Sequence, residues 1–117
     1  VIDSLTAMSL IEKIERRENV QKVIMDINKM AKQAGLTTLL ISEIPEGTNL
    51  ISQHGVESHI ADGVIKLTLN EALDTRKIEI RKMRGTKHSL KSREFEFTDH
   101  GIVIIREKEK KPKKSLF

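Results

Sequence analysis

The sequence predicts an α/β fold in which two parallel strands joined by a helix are followed by an antiparallel β-meander. Three observations support this prediction. Residues 1–3 and 37–42 are short apolar runs typical of buried strands, residues 16–34 carry an apolar stripe at three- and four-residue steps, and residues 64–83 alternate apolar and polar side chains. Because strand–helix–strand crossovers are right-handed and parallel, both strands should end at the same edge of their sheet.

The composition allows one modest domain. The chain has 117 residues and no cysteine, which excludes disulfides and cysteine-based metal sites. No apolar run approaches the roughly 20 residues needed to cross a bilayer, and no signal peptide opens the chain. We therefore expect a soluble, cytoplasmic protein.

The net charge of +4 lies entirely in residues 106–117, because six Lys or Arg there face Glu107 and Glu109 while residues 1–105 sum to zero. This tail is expected to be disordered and solubilising, although weak contact with nucleic acid is an alternative. Residues 76–105 hold eight Lys or Arg against four acids, and residues 1–75 hold seven against eleven. Opposite charges on two parts of one unit favour head-to-tail association of identical copies.

A long helix is predicted from Arg16 to Ala34, and Gly35 is its stop signal. Met30 is expected to fill the core, and the charged residues should form a solvated face. Residues 5–13, before this helix, are expected to be a loop or an irregular helical turn. The apolar stripe of the helix consists of Val20, Val23, Ile24, Ile27, Met30, Ala31 and Ala34.

A hairpin and two further strands are predicted after residue 63. Alternation places Ile65, Leu67 and Leu69 on the buried face of the hairpin, and Phe95 and Phe97 on one face of a later strand. The predicted elements are a short helix at 56–60, strands at 64–70 and 76–83 around a turn at 71–74, the strand that contains the two phenylalanines, a turn at 99–101 and a strand at 102–105.

A basic loop, Lys-Met-Arg-Gly-Thr-Lys-His-Ser, occupies residues 82–89 at the end of the second hairpin strand. Ile78, Ile80 and Lys82 alternate along one face, so the Lys82 ammonium lies on the last rung of the strand. Gly85 permits a sharp bend. The loop suits either a polyphosphate next to a sugar and a base, or a solvated turn rich in cations. Its polar side chains include Lys82, Arg84, Thr86, Lys87 and His88.

Four separated motifs, at residues 1–6, 55–65, 82–88 and 95–102, follow one another in a recognisable order. Together they resemble the C-terminal half, from the Walker B strand onward, of the KaiC-like ATPase domain of the RecA superfamily. The resemblance covers nearly all of residues 1–105. It implies the C-terminal half of a RecA-like P-loop ATPase core, in which parallel strands and a crossover helix are extended by an antiparallel meander.

The resemblance also implies a site for ATP and magnesium. Asp3, with Ser4 nearby, would hold a magnesium ion through water; the alternative is that Asp3 caps the following segment. Ser42 or Glu43, at the end of the second strand, would belong to the same nucleotide. For Glu43 a sensor of the γ-phosphate and an ordinary loop acid are both open.

Residues of the basic loop would serve a neighbouring subunit. By resemblance, Lys82 and Arg84 act in trans on the γ-phosphate bound to the adjacent copy, and the planar fork of Arg84 suits that role better than an ammonium. The residues that would line the adenosine side are Met83, Thr86, His88, Thr98 and Asp99. A homo-oligomer, a hexameric ring in the full-length protein, follows from this arrangement.

No Gly-x-x-x-x-Gly-Lys-Ser/Thr motif occurs in the chain. We therefore expect residues 1–105 to be a partial ATPase domain without its Walker A motif, belonging to a longer protein that hydrolyses ATP, while this chain alone is inactive. One alternative is a RadA-like recombination and repair ATPase that binds single-stranded DNA, but the loop at residues 44–55 contains no Lys or Arg. Another alternative is a nucleotide-dead oligomerisation fragment.

Overall fold

The computed structural model describes residues 1–11 and 16–105, so the predicted disordered tail at 106–117 lies outside the described residues. The elements are β1 (Ile2–Asp3), α1 (Leu5–Ile11), α2 (Arg17–Gln33), β2 (Leu40–Ile41), α3 (Glu57–Ile60), β3 (Gly63–Asn70), a 3₁₀ turn (Glu71–Leu73), β4 (Thr75–Met83), β5 (Arg93–Thr98) and β6 (Gly101–Ile104). None of the described helices is both long enough and apolar enough to cross a membrane.

β1 and β2 form the predicted parallel pair, with Asp3 opposite Ile41. The second strand is shorter than the predicted span of residues 37–42, because β1 offers only two residues to pair with it. α1 is a regular helix where a loop or irregular turn was predicted. Ser4 stabilises its start by accepting the Ala7 N–H at 3.0 Å.

α2 matches its prediction to within one residue at each end. Gly35, at φ 66°, and Leu36 donate their N–H groups back to Lys32 and Ala31, which closes the end of the helix. The prediction that Met30 fills the core is wrong, since its side chain is 68% exposed. Met30 lies about 80° around the helix from Val20, at the flank of the apolar stripe.

A small apolar core lies between α1, α2 and the segment before α3. Its buried members are Leu5, Val20, Ile24 and Val56, each no more than 6% exposed, and Leu40 and Ile60 pack against them. The core thus connects α2 directly to the start of α3.

The meander is confirmed as a four-stranded antiparallel sheet in the order β3-β4-β5-β6. β5 pairs with β4 through Arg76 opposite Phe95, and with β6 through Phe95 opposite Ile104. Between β3 and β4, Asn70 Oδ1 accepts the Leu73 N–H at 3.1 Å. The hairpin predicted from residue 64 to residue 83 is therefore present.

The chain divides into two compact units. The first contains residues 1–64 and 81–87, and the second contains residues 65–80 and the described residues from 88 onward. In the second unit Phe95 and Phe97 meet edge to face at 5.7 Å, as expected for neighbours on one face. Phe95 is buried, whereas Phe97 is exposed and lies under the Arg76 guanidinium at 5.5 Å.

The prediction that Ile65, Leu67 and Leu69 are buried is wrong for this chain, because these side chains are 49–57% exposed. β3 is an edge strand of the sheet. Alternation identified one face of the strand correctly, but in the described part of its own unit no segment covers that face.

Replacing Ile24 tests the core. Ile24→Ala should lower the free energy of unfolding by about 2–5 kcal/mol, because it removes buried methyl and methylene groups and leaves a cavity. Met30→Ala on the same helix is the matched control and should change it by no more than about 0.5 kcal/mol. Urea titration of the 117-residue chain, followed by circular dichroism, measures both. Equal losses would show that Met30 belongs to the core.

Candidate functional site

The carboxyl ends of β1 and β2 lie at one edge, as predicted from the crossover. Asp3 ends β1 with an exposed side chain, and the peptide bond from Asp3 to Ser4 is cis. Ser4 is buried, and its hydroxyl caps α1. Glu43 follows β2 and donates its backbone N–H to Thr6 Oγ1 at 3.0 Å. The structure therefore brings Asp3, Ser4 and Glu43 to the same edge of the sheet.

The chemistry of Asp3 fits a magnesium ion. Mg²⁺ takes one or two protein carboxylates and completes its octahedron with water and phosphate oxygens. No cluster of three or more His, Asp or Glu side chains suited to a metal occurs within residues 1–11 and 16–105. An exposed carboxylate at a strand end is thus suited to a metal that brings most of its ligands from solvent and substrate.

Glu57, for which the sequence predicted no role, organises the segment before α3. Its carboxylate accepts the His54 and Val56 backbone N–H groups at 3.2 Å and lies 2.9 Å from His54 Nδ1. Ser42 Oγ also donates to it, at 3.5 Å. The Glu57 side chain therefore links the end of β2 to the start of α3 through hydrogen bonds.

The pKa of Glu57 is lowered from its ordinary value of 4.5. Burial of the carboxyl group raises this pKa, but hydrogen bonds from its own backbone N–H, from His54 and from Ser52 together outweigh burial. The ionised form is thus the one that the folded segment stabilises. A signal was available in the sequence, since His54 and Glu57 stand three residues apart at the start of a predicted helix.

The two cations of the basic loop bind the same short segment of their own chain. Lys82 Nζ donates to the carbonyl oxygens of Ser58 and His59, both at 3.0 Å. Arg84 donates from Nη2 to the His59 carbonyl at 3.0 Å and from Nη1 to Asp62 Oδ1 at 2.9 Å. One carbonyl oxygen, that of His59, therefore accepts from both side chains.

Asp62 is a second residue for which the sequence predicted no role. Besides its contact with Arg84, its Oδ2 lies 3.6 Å from Lys32 Nζ. The pKa of Asp62 is lowered, first by the hydrogen bond from Arg84 and then by the charge of Lys32. Asp62 directly precedes β3, but its partners are 22 and 30 residues away in sequence, so no local pattern indicates them.

Met83 lies against Gly63 within the first unit. A Cβ atom at Gly63 would come 3.1 Å from Met83 Sδ and Cε. The thioether therefore occupies space that only glycine leaves open at this position.

The residues predicted for the adenosine side are divided between the two units. Met83 and Thr86 belong to the first, and His88, Thr98 and Asp99 belong to the second. Thr98 Oγ1 donates to the Gly101 carbonyl at 3.0 Å and accepts the His100 N–H at 3.2 Å, so its hydroxyl closes the turn between β5 and β6. Asp99 is exposed in that turn.

A parallel strand pair with a crossover helix, an acid at its carboxyl edge and an antiparallel four-stranded meander together define an α/β module. The family model of the KaiC ATPase matches residues 1–109, and the chain belongs to this family. Membership supports a nucleotide-binding ATPase module as the type of domain.

Individual relatives agree with this assignment. A UPF0273 protein of Aeropyrum pernix is 34% identical over 109 residues, which cover 92% of this chain and 42% of that protein. The circadian clock oscillator protein KaiC of Synechococcus elongatus is 34% identical over 106 residues, which cover 89% of this chain and 20% of that protein. A crystal structure of a KaiC-like protein from Pyrococcus horikoshii superposes with a TM-score of 0.74 at 36% identity, covering 90% of this chain and 47% of the other. The chain thus spans less than half of each relative.

Acid titration tests the role of Glu57. Because its folded pKa lies below the ordinary value of 4.5, the carboxylate stabilises the fold fully above pH 4.5 and loses this effect as the pH falls through the folded pKa. Glu57→Gln should lower the free energy of unfolding at pH 7 by about 1–3 kcal/mol and should flatten its decline in acid. Urea titrations across this pH range measure both effects.

Glu46→Gln is the matched control, since Glu46 is an exposed carboxylate of the loop before α3. It should leave the acid dependence unchanged. An unchanged acid dependence in Glu57→Gln as well would contradict the assignment.

Proposed function

We propose that this chain is the second part of an ATP-binding and ATP-hydrolysing module that works as a homo-oligomer, with each nucleotide bound at the boundary between two copies. Within the family shown above, the observation that supports this most directly is the paired anchoring of Lys82 and Arg84. Each donates to the His59 carbonyl at 3.0 Å, so the two nitrogen atoms lie within about 6 Å of each other. Two cations at that separation can contact one phosphoryl group.

Both side chains keep donors for such a ligand. A guanidinium has five N–H donors and an ammonium has three. Arg84 gives one bond from each terminal nitrogen to Asp62 and His59, and Lys82 gives two bonds to carbonyl oxygens. The contacts with their own chain therefore fix the cations without exhausting them.

In the proposed mechanism Lys82 and Arg84 stabilise the negative charge on the γ-phosphate of the neighbouring copy during phosphoryl transfer. Cations supplied across an interface in this way accelerate hydrolysis by a factor of about 10³ to 10⁵. Arg84 contributes the larger share, because its planar fork can bind two oxygens at once.

Asp3 and Ser4 serve the nucleotide of their own copy. When bound there, magnesium supplies positive charge that neutralises the phosphates. The Asp3 carboxylate, with Ser4 nearby, would hold the ion, and Glu43, at the same edge, would sense the γ-phosphate. The adenosine side is lined by Met83, Thr86, His88, Thr98 and Asp99, and the complete assembly is a hexameric ring.

A mixing experiment tests whether Arg84 acts in trans. The chain is extended at its amino end with an upstream half-domain chosen because it carries a Gly-x-x-x-x-Gly-Lys-Ser/Thr phosphate-binding loop. Asp3→Asn and Arg84→Ala should each lower ATP hydrolysis, by at least about 100-fold for Arg84→Ala. When the two inactive variants are mixed and reassembled, about a quarter of the interfaces combine an intact Asp3 with an intact Arg84, and activity should return.

If Arg84 acts on the nucleotide of its own copy, every copy in the mixture lacks one of the two residues and activity stays absent. Lys77→Ala, an exposed cation of β4, is the matched control and should hydrolyse ATP at the unmodified rate. Full activity of Arg84→Ala alone would contradict the proposed function.

A further inference from the structure

We propose that Asp62 is a positioning residue that holds the Arg84 guanidinium in the orientation required to contact a phosphoryl group. This inference rests on the proposed function of Arg84. It adds a residue, outside the basic loop itself, on which the hydrolytic role of the loop depends.

The first argument is the number of hydrogen bonds by which Asp62 and His59 hold Arg84. The backbone N–H of Arg84 donates to the Asp62 carbonyl at 2.9 Å, so a backbone hydrogen bond already fixes the distance between the two residues. Nη1 then contacts Asp62 Oδ1 at 2.9 Å, and Nη2 contacts the His59 carbonyl at 3.0 Å. Two acceptors on two different terminal nitrogens fix the plane of the guanidinium, which a single acceptor would leave free to rotate.

The second argument is the exposure of the side chain. Arg84 is 52% exposed and Asp62 56% exposed, so Arg84 retains a solvent-facing surface while Asp62 holds it. An arginine side chain at the surface otherwise loses rotamer entropy when a ligand fixes it. Orientation by Asp62 removes part of that loss before the phosphoryl group binds.

The third argument concerns charge, because a carboxylate beside a catalytic cation also weakens the attraction of that cation for phosphate. Here Lys32 lies 3.6 Å from the other oxygen of Asp62, and the acceptors of Lys82 among the described residues are neutral carbonyl oxygens. Three cations therefore accompany one carboxylate, and the cluster keeps two net positive charges. Asp62 can orient Arg84 while the surface around it stays attractive to a polyphosphate.

The alternative to a positioning role is an inhibitory one, in which Asp62 holds Arg84 away from the phosphoryl group. The two effects predict rate changes of opposite sign when the Asp62 charge is removed, so kinetics distinguish them. In the extended, hydrolysing form of the chain, Asp62→Asn should lower kcat about 10- to 100-fold with little change in KM, because the reacting groups are misaligned rather than absent.

Four further variants show whether Asp62 acts through Arg84. Asp62→Glu keeps the charge and should recover part of the rate. Asp26→Asn, which removes an exposed carboxylate of α2, should leave the rate unchanged. Arg84→Ala should be slow, and adding Asp62→Asn to it should cause no further loss, since a residue that acts through Arg84 has no effect without it.

A spectroscopic measurement on the unextended chain of 117 residues gives an independent result. Arg84 should show slow rotation about its Cζ–Nε bond by NMR, with separate signals for the terminal nitrogens, and Asp62→Asn should average those signals while Asp26→Asn should not. Rapid rotation in the unmodified chain would overturn the positioning role, whatever the kinetics.

The outcomes separate the two proposals. If Arg84→Ala is slow but Asp62→Asn hydrolyses ATP at or above the unmodified rate, Asp62 is not a positioning residue and the proposed function of Arg84 stands. If Arg84→Ala is as fast as the unmodified protein, the proposed function itself is overturned.

Discussion

The carbonyl oxygens at the end of α3 determine where the basic loop lies. A helix leaves its last carbonyl groups without partners inside the helix, and in a helix of four residues this applies to nearly all of them. Lys82 and Arg84 satisfy the carbonyls of Ser58 and His59. A requirement of backbone hydrogen bonding therefore brings two cations together that the sequence separates by one residue.

This anchoring makes the loop depend on residues far from it. α3 is held at its start by Val56, which is buried in the core with Val20 and Ile24, and by the hydrogen bonds of the Glu57 carboxylate. Acidic and basic side chains thus complete opposite ends of the same short helix, as the polarity of backbone groups favours. A change in the core or at Glu57 would be transmitted to the cations through the position of α3, although neither touches the basic loop.

The sequence was sufficient to predict the helices, strands and turns that depend on local periodicity. The apolar repeat of α2, its end at Gly35, the two hairpin strands and the turn at Asp99 were all predicted close to their observed bounds, because each is encoded by neighbouring residues. Burial was less predictable. Ile65 alternates as a core residue should, yet it is exposed, since burial depends on what packs over a strand rather than on the strand itself.

In the candidate site, too, features set by local sequence were predictable and contacts between distant residues were not. Asp3 and Glu43 were placed at one edge because parallel pairing leaves little freedom, and the family was recognised from the order of four separated motifs. Asp62 and Lys32 were not, because an ion pair between residues 30 positions apart leaves no pattern in a single sequence. Glu57 was overlooked for a different reason. Its spacing from His54 was visible in the sequence, but a buried carboxylate is rare unless its hydrogen bonds are satisfied, and that spacing shows neither the burial of Glu57 nor the backbone N–H groups that donate to it.

A cation that acts on a neighbouring molecule must satisfy two opposing requirements. It must be held firmly by its own chain, because otherwise its side-chain entropy is lost when the ligand binds. It must also keep hydrogen-bond donors for that ligand. A carbonyl oxygen meets both requirements well, because it accepts a hydrogen bond without cancelling the charge, and this is the arrangement of Lys82. A carboxylate holds more strongly but opposes the charge, so Arg84, bound to Asp62, needs Lys32 nearby to restore the balance. Under the proposed function, the two cations of the loop therefore meet the same constraint in two ways, and the arginine, which has more donors, is the one that can be held by an anion and still bind another.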